Sequence, residues 1–224
     1  MRLRYFPLAV PLIVAAVLLL GVLLLLIELS AIEYAYARVG VGHRAMVVIL
    51  VLTLLGSSIN IPLWRVRSTE ITVPKEVRMF GVRWIVPVVE QRGTTIVAVN
   101  VGGAVIPVLL SARILMARDA PSAAVIATMI VVVVTYLVAK PVPGIGIVVP
   151  TLVPPVIAAS AALLLSREAA PAVAYVAGTI GTLVGADLLN LRRVQDLGAP
   201  VVSIGGAGTF DGIFVTGILA VLLA

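Results

Sequence analysis

Two aspartates, Asp187 and Asp211, stand in long apolar stretches and are the residues best placed by type and position to do chemistry. An ionisable residue at the centre of a membrane helix costs about 2.5–3.5 kcal/mol on insertion scales, so its presence there indicates a function. Two carboxyl groups held close together in a medium of low dielectric constant cannot both ionise easily, so one keeps its proton and the other acts as a base. Such a pair can activate a water molecule for hydrolysis.

Glycine and asparagine surround both aspartates. Asp187 lies in Gly-Ala-Asp-Leu-Leu-Asn (185–190) and Asp211 in Gly-Gly-Ala-Gly-Thr-Phe-Asp-Gly-Ile-Phe (205–214). In regular helices Asp187 lies about 7.5 Å and Asp211 about 16 Å from the ends of their spans, so the glycine run must interrupt the last helix for the two to meet. We expect five residues to support the pair: Gly206, Gly208, Gly212, Asn190 and Asn100.

Two other roles for the aspartates remain open. Each carboxyl group can be a protonated or paired contact between packed helices. Alternatively, the pair can bind an ion or proton in a transporter of small solutes, ions or protons, because the proline-rich segment 141–165 predicts a broken fifth helix and broken helices are typical of transporters.

Several classes of site are excluded by composition. The chain has no cysteine and only one histidine, His43, so we expect no disulfide, no metal site and no cofactor. It carries no glycine-rich phosphate loop ending in Gly-Lys. The formal net charge of +6 is explained by basic loops beside a membrane, so we expect a lipid bilayer and not nucleic acid as the partner. The oligomeric state is left open.

Hydrophobic residues make up 62% of the 224 residues, well above the 45–50% that is typical of soluble domains. The apolar runs predict one all-α transmembrane domain over residues 1–224, in a multi-pass protein of the cell membrane. Seven helices are expected: Phe6–Ile27, Met46–Trp64, Thr94–Leu115, Pro121–Ala139, Pro141–Leu165, Pro171–Leu191 and Pro200–Ala224.

Basic residues orient this bundle. With the N-terminus inside and the C-terminus outside, 11 of the 16 lysines and arginines fall on the inner side, which satisfies the positive-inside rule. The polar segment 65–93, between helices two and three, alternates β-branched and charged residues around Gly81. It predicts a short cytoplasmic β-hairpin inserted into the bundle.

Four motifs resemble those of an uncharacterised prokaryotic membrane family that is classed as a domain of unknown function. They are Asn-Val-Gly-Gly-Ala-Val-Ile-Pro (100–107), Lys-Pro-Val-Pro-Gly-Ile-Gly (140–146) and the two aspartate motifs extended to residues 185–191 and 205–214. The similarity covers the chain from about Gly56 to the end and implies a polytopic membrane protein, with no activity attached.

The aspartate motifs also resemble, more weakly, those of the Gly-x-Gly-Asp intramembrane aspartyl proteases: presenilin, signal peptide peptidase and prepilin peptidase. In presenilins the two catalytic aspartates sit on successive helices, as Asp187 and Asp211 do. Here Thr209 and Phe210 separate Gly208 from Asp211, and Ala186 stands where presenilins have tyrosine. The resemblance implies an aspartyl protease-like hydrolase with a transmembrane peptide as substrate.

Overall fold

The structure is a computed structural model. It describes residues 20–21, 28–68, 71–79, 82–90, 93–117, 120–142, 146–196, 199–206 and 212–224. The helices are α1 (Glu28–Arg38), α2 (His43–Gly56), α3 (Ile106–Met116), α4 (Pro121–Val138), α5 (Val153–Leu165), α6 (Ala170–Thr182) and α7 (Gly212–Leu223). A π-helical turn (Val101–Val105) precedes α3, a second (Leu183–Leu188) continues α6, and a 3-10 turn spans Leu191–Asp196.

Four of these helices carry a proline in their first turn, and in α4, α5 and α6, which no helical turn precedes directly, the missing N–H group costs no hydrogen bond. The residues are Pro107, Pro121, Pro154 and Pro171. Proline therefore marks where α3, α4, α5 and α6 begin. The same residue type was expected to kink the middle of a fifth span, but Pro154 starts α5 instead.

Within the described ranges seven strands form three sheets: β1 (Asn60–Ser68), β2 (Ile71–Met79), β3 (Val82–Glu90), β4 (Gly93–Asn100), β5 (Lys140–Val142), β6 (Gly146–Val148) and β7 (Val201–Ile204). The largest sheet has the order β1-β4-β7, with β1 antiparallel and β7 parallel to β4. The strands β2 and β3 pair with each other, as do β5 and β6.

The centre of the helical layer is α6. In the helical stretch Ala170–Arg193, which begins with α6, 72% of the most apolar part is buried, against 33% in α4. A Cβ atom at Gly181 would lie 2.6 Å from the Val131 Cβ, and one at Gly185 would lie 2.6 Å from the Val132 carbonyl oxygen. Later residues of α6 thus meet later residues of α4, so these two helices run in the same direction. They end beside the β1-β4-β7 sheet, where the candidate site lies.

The other face of α6 packs against α7. A Cβ atom at Gly217 would lie 2.7 Å from the Thr179 hydroxyl, and one at Gly178 would lie 3.2 Å from the Ala220 methyl group. Gly178 of α6 contacts Ala220 of α7, whereas the later Thr179 of α6 contacts the earlier Gly217 of α7. The helix α7 therefore runs antiparallel to α6. The chain therefore returns from the sheet end of the molecule along α7.

The predicted all-α bundle of seven spanning helices is wrong. Among the described residues two helices are long and apolar enough to cross a membrane: Pro121–Val138 with a mean hydropathy of 2.2, and Ala170–Arg193 with 1.6. A third candidate exists only if α1 and α2, which meet at an angle of 113°, count as one span. The predicted orientation, with the N-terminus inside and the C-terminus outside, depended on seven spans and is therefore wrong as well.

The reason for the error is that parts of four predicted spans form strands. The apolar run at residues 94–100 belongs to β4, residues 60–64 belong to β1, residues 140–142 and 146–148 form β5 and β6, and residues 201–204 form β7. A short apolar run rich in β-branched residues has the same hydropathy in a strand as in a helix, so its hydropathy does not distinguish the two. The predicted first span, Phe6–Ile27, lies outside the described residues apart from Leu20 and Gly21.

The strands also reach beyond the segment 65–93 for which a short hairpin was predicted. The pair β2 and β3 lies inside that segment, whereas β1 and β4 extend from it to Asn60 and Asn100, which face each other in the register. The β1–β4 ladder therefore carries the chain from the end of α2 back to the start of the π-helical turn before α3.

Candidate functional site

Asp187 lies where α6 departs from regular helical geometry. The π-helical turn Leu183–Leu188 follows α6 directly after Thr182. Such turns are rare in proteins overall, and those that occur are often found at functional sites. Gly185, within this turn, lies so close to the Val132 carbonyl of α4 that no side chain fits there. The turn is thus wedged against α4, which gives the partly buried Asp187 a defined position.

Asn190 stabilises this turn. Its side chain is fully buried, and its Nδ2 donates to the carbonyl oxygens of Gly185 at 3.0 Å and Ala186 at 2.9 Å. A widened helical turn leaves carbonyl groups without their usual i+4 donors, and a side-chain amide can satisfy them. Asn190 therefore acts on the backbone around Asp187, and it is not among the residues that line the cavity described below.

The carboxylate of Asp187 accepts a hydrogen bond from the backbone N–H of Gly205, with an Oδ2 to N distance of 2.7 Å. Gly205 follows β7 and has φ of +86°, a left-handed conformation that disfavours any residue with a side chain. Its carbonyl oxygen contacts Gly103 so closely that a Cβ atom at Gly103 would overlap it. Gly205 is therefore held through its N–H by the Asp187 carboxylate and through its carbonyl oxygen against the π-helical turn at Gly103.

Asn100 positions the far side of this contact. Its buried Oδ1 accepts from the Gly103 N–H at 2.7 Å, and its Nδ2 donates to the Ser57 carbonyl at 2.7 Å and to the Asn60 Oδ1 at 3.1 Å. The Ser203 hydroxyl of β7 donates to the same Asn60 oxygen. One network thus links the end of α2, the starts of β1 and the π-helical turn, and β7.

A cavity of about 390 Å³ opens beside Asp187. Its lining includes the consecutive residues Gly146–Val149 on and after β6, and Val201–Ile204, which are the whole of β7. Successive side chains of a strand point to opposite faces, so consecutive residues can all line one cavity only when the strand presents its edge to it. The cavity is therefore bounded by the edges of β6 and β7, with the Asp187 carboxylate at its wall.

The predicted site residues fall into three groups. Asp187, Gly206 and Gly212 line the cavity. Asn100 and Asn190 lie behind it and position backbone groups. Asp211 and Gly208 lie outside the described residues, so the distance between the two carboxyl groups stays a prediction.

Sequence reasoning missed Gly205, whose N–H donates a hydrogen bond to Asp187, and the β6 edge that forms the opposite wall. The pair Gly205-Gly206 directly after the β-branched run 201–204 was an available signal, because two glycines after a strand favour a turn with positive φ. No sequence signal marked β6, whose pairing with β5 covers three residues. In the described part of the chain no group of three or more His, Cys, Asp or Glu residues could hold a metal ion.

Comparison with curated proteins and with solved structures finds no match. A family comparison matches residues 54–223, about three quarters of the chain, which include both aspartate motifs and all residues that line the cavity. The chain therefore belongs to the family described as "Protein of unknown function (DUF1614)".

Proposed function

We propose that this chain is a membrane-embedded aspartyl hydrolase that cleaves an extended peptide, with Asp187 and Asp211 as its catalytic pair. One observation carries the proposal: the carboxylate of Asp187 lies in a cavity between two strand edges. Asp211 directly precedes Gly212 in the sequence, and Gly212 lines the same cavity.

Residence in the cell membrane, with more than one span, is supported by the surface of α4. Val125, Met129, Val133 and Leu137 are all exposed on this helix, and the exposed fraction of Leu137 is 74%. An apolar surface of this size in water would be an aggregation hazard, whereas lipid tails solvate it. The same helix is one of the two that are long and apolar enough to span a bilayer.

The strand edges support an extended peptide as the substrate. Within its sheet β7 is an edge strand, and β6 belongs to a sheet of two strands. An extended segment can add to such an edge through main-chain hydrogen bonds, which bind peptides of varied sequence. A peptide that adds to either edge passes the carboxylate of Asp187, so its backbone carbonyl group would be presented to the acid–base pair.

The chemistry is a balanced hydrolysis. One carboxylate removes a proton from water, the water oxygen adds to the peptide carbonyl carbon, and the protonated partner gives its proton to the carbonyl oxygen. Collapse of this intermediate breaks the C–N bond, and the departing nitrogen takes the proton that the base received. One hydroxyl proton of the intermediate returns to the partner carboxylate, which leaves a carboxylic acid and an amine and restores the pair. Asp187 suits the unprotonated role, because the Gly205 N–H already donates to it.

The test is cleavage of a model transmembrane peptide by the purified full chain in lipid nanodiscs. Wild type is compared with Asp187→Asn, Asp211→Asn and the control Glu168→Gln, whose exposed carboxylate lies before α6 at the opposite end of that helix. The hydrolase predicts new peptide termini in wild type and in the control, and loss of cleavage by at least about a thousandfold in both aspartate variants. Equal cleavage by wild type and either aspartate variant would exclude the pair as the catalyst.

A transporter of ions or small solutes is the second candidate. It is favoured by the π-helical turn that holds Asp187, because an ionisable residue within a candidate membrane span is typical of an ion or proton pathway, and π-helical turns are frequent at functional sites. This function predicts flux into liposomes that depends on Asp187, together with no peptide cleavage. If the folded aspartate variants match wild type in both assays, the carboxyl groups act only in packing.

A further inference from the structure

Five exposed cations surround the sheet end of the molecule, beside the cavity. We call them the basic collar: Arg65 and Arg67 of β1, Lys140 of β5, and Arg192 and Arg193 of the 3-10 turn. They come from three separate parts of the chain, which the fold brings to one end. The hydrolase chemistry uses none of them.

The collar residues are held around one apolar cluster. Val66, Ile147 and Leu191 pack against the buried cluster that contains Val97 and Ile204. Arg65 and Arg67 flank Val66 on β1, and Arg192 follows Leu191 directly. Arg65, Arg67 and Arg192 are therefore chain neighbours of residues that pack on one common core, which brings β1 and the 3-10 turn to the same end of the molecule.

Lys140 and Arg193 complete the collar at the end of α4. The Arg193 guanidinium lies 5.7 Å from the centre of the Tyr136 ring, in the last turn of that helix. Lys140 comes two residues after α4 ends and pairs in register with Val148, which lines the cavity.

Among the described side chains, the carboxylate at this end of the molecule is Asp187, whose Oδ2 accepts from the Gly205 N–H at the cavity wall. The other described carboxylates, Glu28 and Glu33 of α1 and Glu168 before α6, lie away from the sheet end. The five cations of the collar thus outnumber the described carboxylates beside them, and such an excess of positive charge attracts an external anion.

Apolar and aromatic side chains alternate with the cations. Trp64, adjacent to Arg65, is 47% exposed, and Tyr136 and Leu137 are exposed at the end of α4. A nucleic acid or an acidic protein would leave these aliphatic groups in water. The boundary of a bilayer accommodates both, since aromatic rings and aliphatic chains sit at headgroup depth while lysine and arginine reach phosphate.

We propose that the basic collar binds the phosphate groups of anionic phospholipids, so that the sheet end and its cavity lie at the headgroup layer. This inference rests on the proposed membrane location but not on hydrolysis. It also explains how a water molecule reaches Asp187, because a cavity at headgroup depth adjoins water while the rest of α6 is buried.

The experiment is native mass spectrometry of the full chain in a neutral detergent, titrated with phosphatidylglycerol or phosphatidylcholine. Wild type should bind phosphatidylglycerol with higher affinity, and Arg192→Gln/Arg193→Gln should weaken that binding by about fivefold for each cation removed. The matched control is Arg113→Gln/Arg167→Gln, which removes two exposed arginines near the start of α6, at the other end of the molecule. If the double variant of the collar fails to fold, Lys140→Gln tests the same claim.

Three results would overturn the inference. They are equal affinity for the two lipids, equal losses in the collar and control variants, and displacement of phosphatidylglycerol by millimolar inorganic phosphate, which would indicate a site for a soluble anion. Lipid binding is measured without any substrate, so its failure leaves the hydrolase proposal standing, and failure of cleavage leaves the collar standing.

Discussion

Replacement of Gly205 by alanine tests the contact that positions Asp187. The new Cβ atom would lie 2.6 Å from the Ala104 Cβ and 2.7 Å from the Ala104 backbone nitrogen, in a residue with φ of +86°. The left-handed conformation costs an L-residue roughly 1–2 kcal/mol. If the chain shifts to relieve the clash, it also loses the hydrogen bond to a charged acceptor, worth about 1.5–3 kcal/mol. We expect Gly205→Ala to lower the free energy of unfolding by roughly 2.5–5 kcal/mol, the sum of these two costs.

The assay is equilibrium unfolding of the purified chain in mixed micelles of mild and denaturing detergent. The matched control is Gly42→Ala, because a Cβ atom at Gly42 meets nothing within 4 Å and its φ is −70°. It should cost about 1 kcal/mol or less. In an Asp187→Ala background the cost of Gly205→Ala should shrink, since the hydrogen bond is already absent. Equal losses for Gly205→Ala and Gly42→Ala, or a cost unchanged in the Asp187→Ala background, would refute this account of the contact.

Three further substitutions test the supports of the site by the same unfolding assay. Asn100→Ala should cost roughly 2–4 kcal/mol, because it leaves the buried Gly103 N–H and a second backbone group without partners; a loss below 1 kcal/mol would contradict this. Gly185→Val should cost about 1–3 kcal/mol or more by forcing α6 away from α4, and an unchanged stability would show that the helices adjust freely. Glu33→Gln removes the exposed ion pair with His43 and should cost less than about 1 kcal/mol; a larger loss would mean that this pair holds the α1–α2 bend.

Local signals in the sequence were sufficient to locate α4. Its apolar run contains no glycine or internal proline, and Pro121 suits a first helical turn, so both ends fall within one residue of the expected span. The helix that includes Ala170–Thr182 was located from the length of its apolar run, although that run contains Gly178 and Gly181. A long apolar run of helical length leaves no room for a strand of ordinary length.

The mixed sheet could not be predicted in this way. The residues of β4 alternate little and are almost all apolar or β-branched, which suits a strand buried on both faces as well as part of a membrane helix. Its partner β7 lies about one hundred residues later in the chain, and no local pattern indicates which distant strand will pair. The ends of the helices that flank each strand therefore could not be predicted.

The polar residues of the candidate site could be predicted from the sequence, but the contacts between them could not. Asp187, Asn190 and Asn100 were identified because a polar group within an apolar run needs a partner. Their partners were not identified, because the Gly205 N–H reaches Asp187 only through the parallel register in which Val99 faces Ile204. The candidate residues were thus visible in the sequence, whereas the geometry that connects them depends on a long-range strand pairing.

Peptide cleavage by a double variant tests the central claim most directly. The initial rate of cleavage of one model transmembrane peptide is measured for wild type, Asp187→Asn, Asp211→Asn and the double variant in the same nanodisc preparation. Because a carboxyl pair that shares one proton works as a unit, we predict that the double variant is no slower than either single variant. Losses that multiply in the double variant, or a single variant that retains the wild-type rate, would contradict the claim that Asp187 and Asp211 form one catalytic pair.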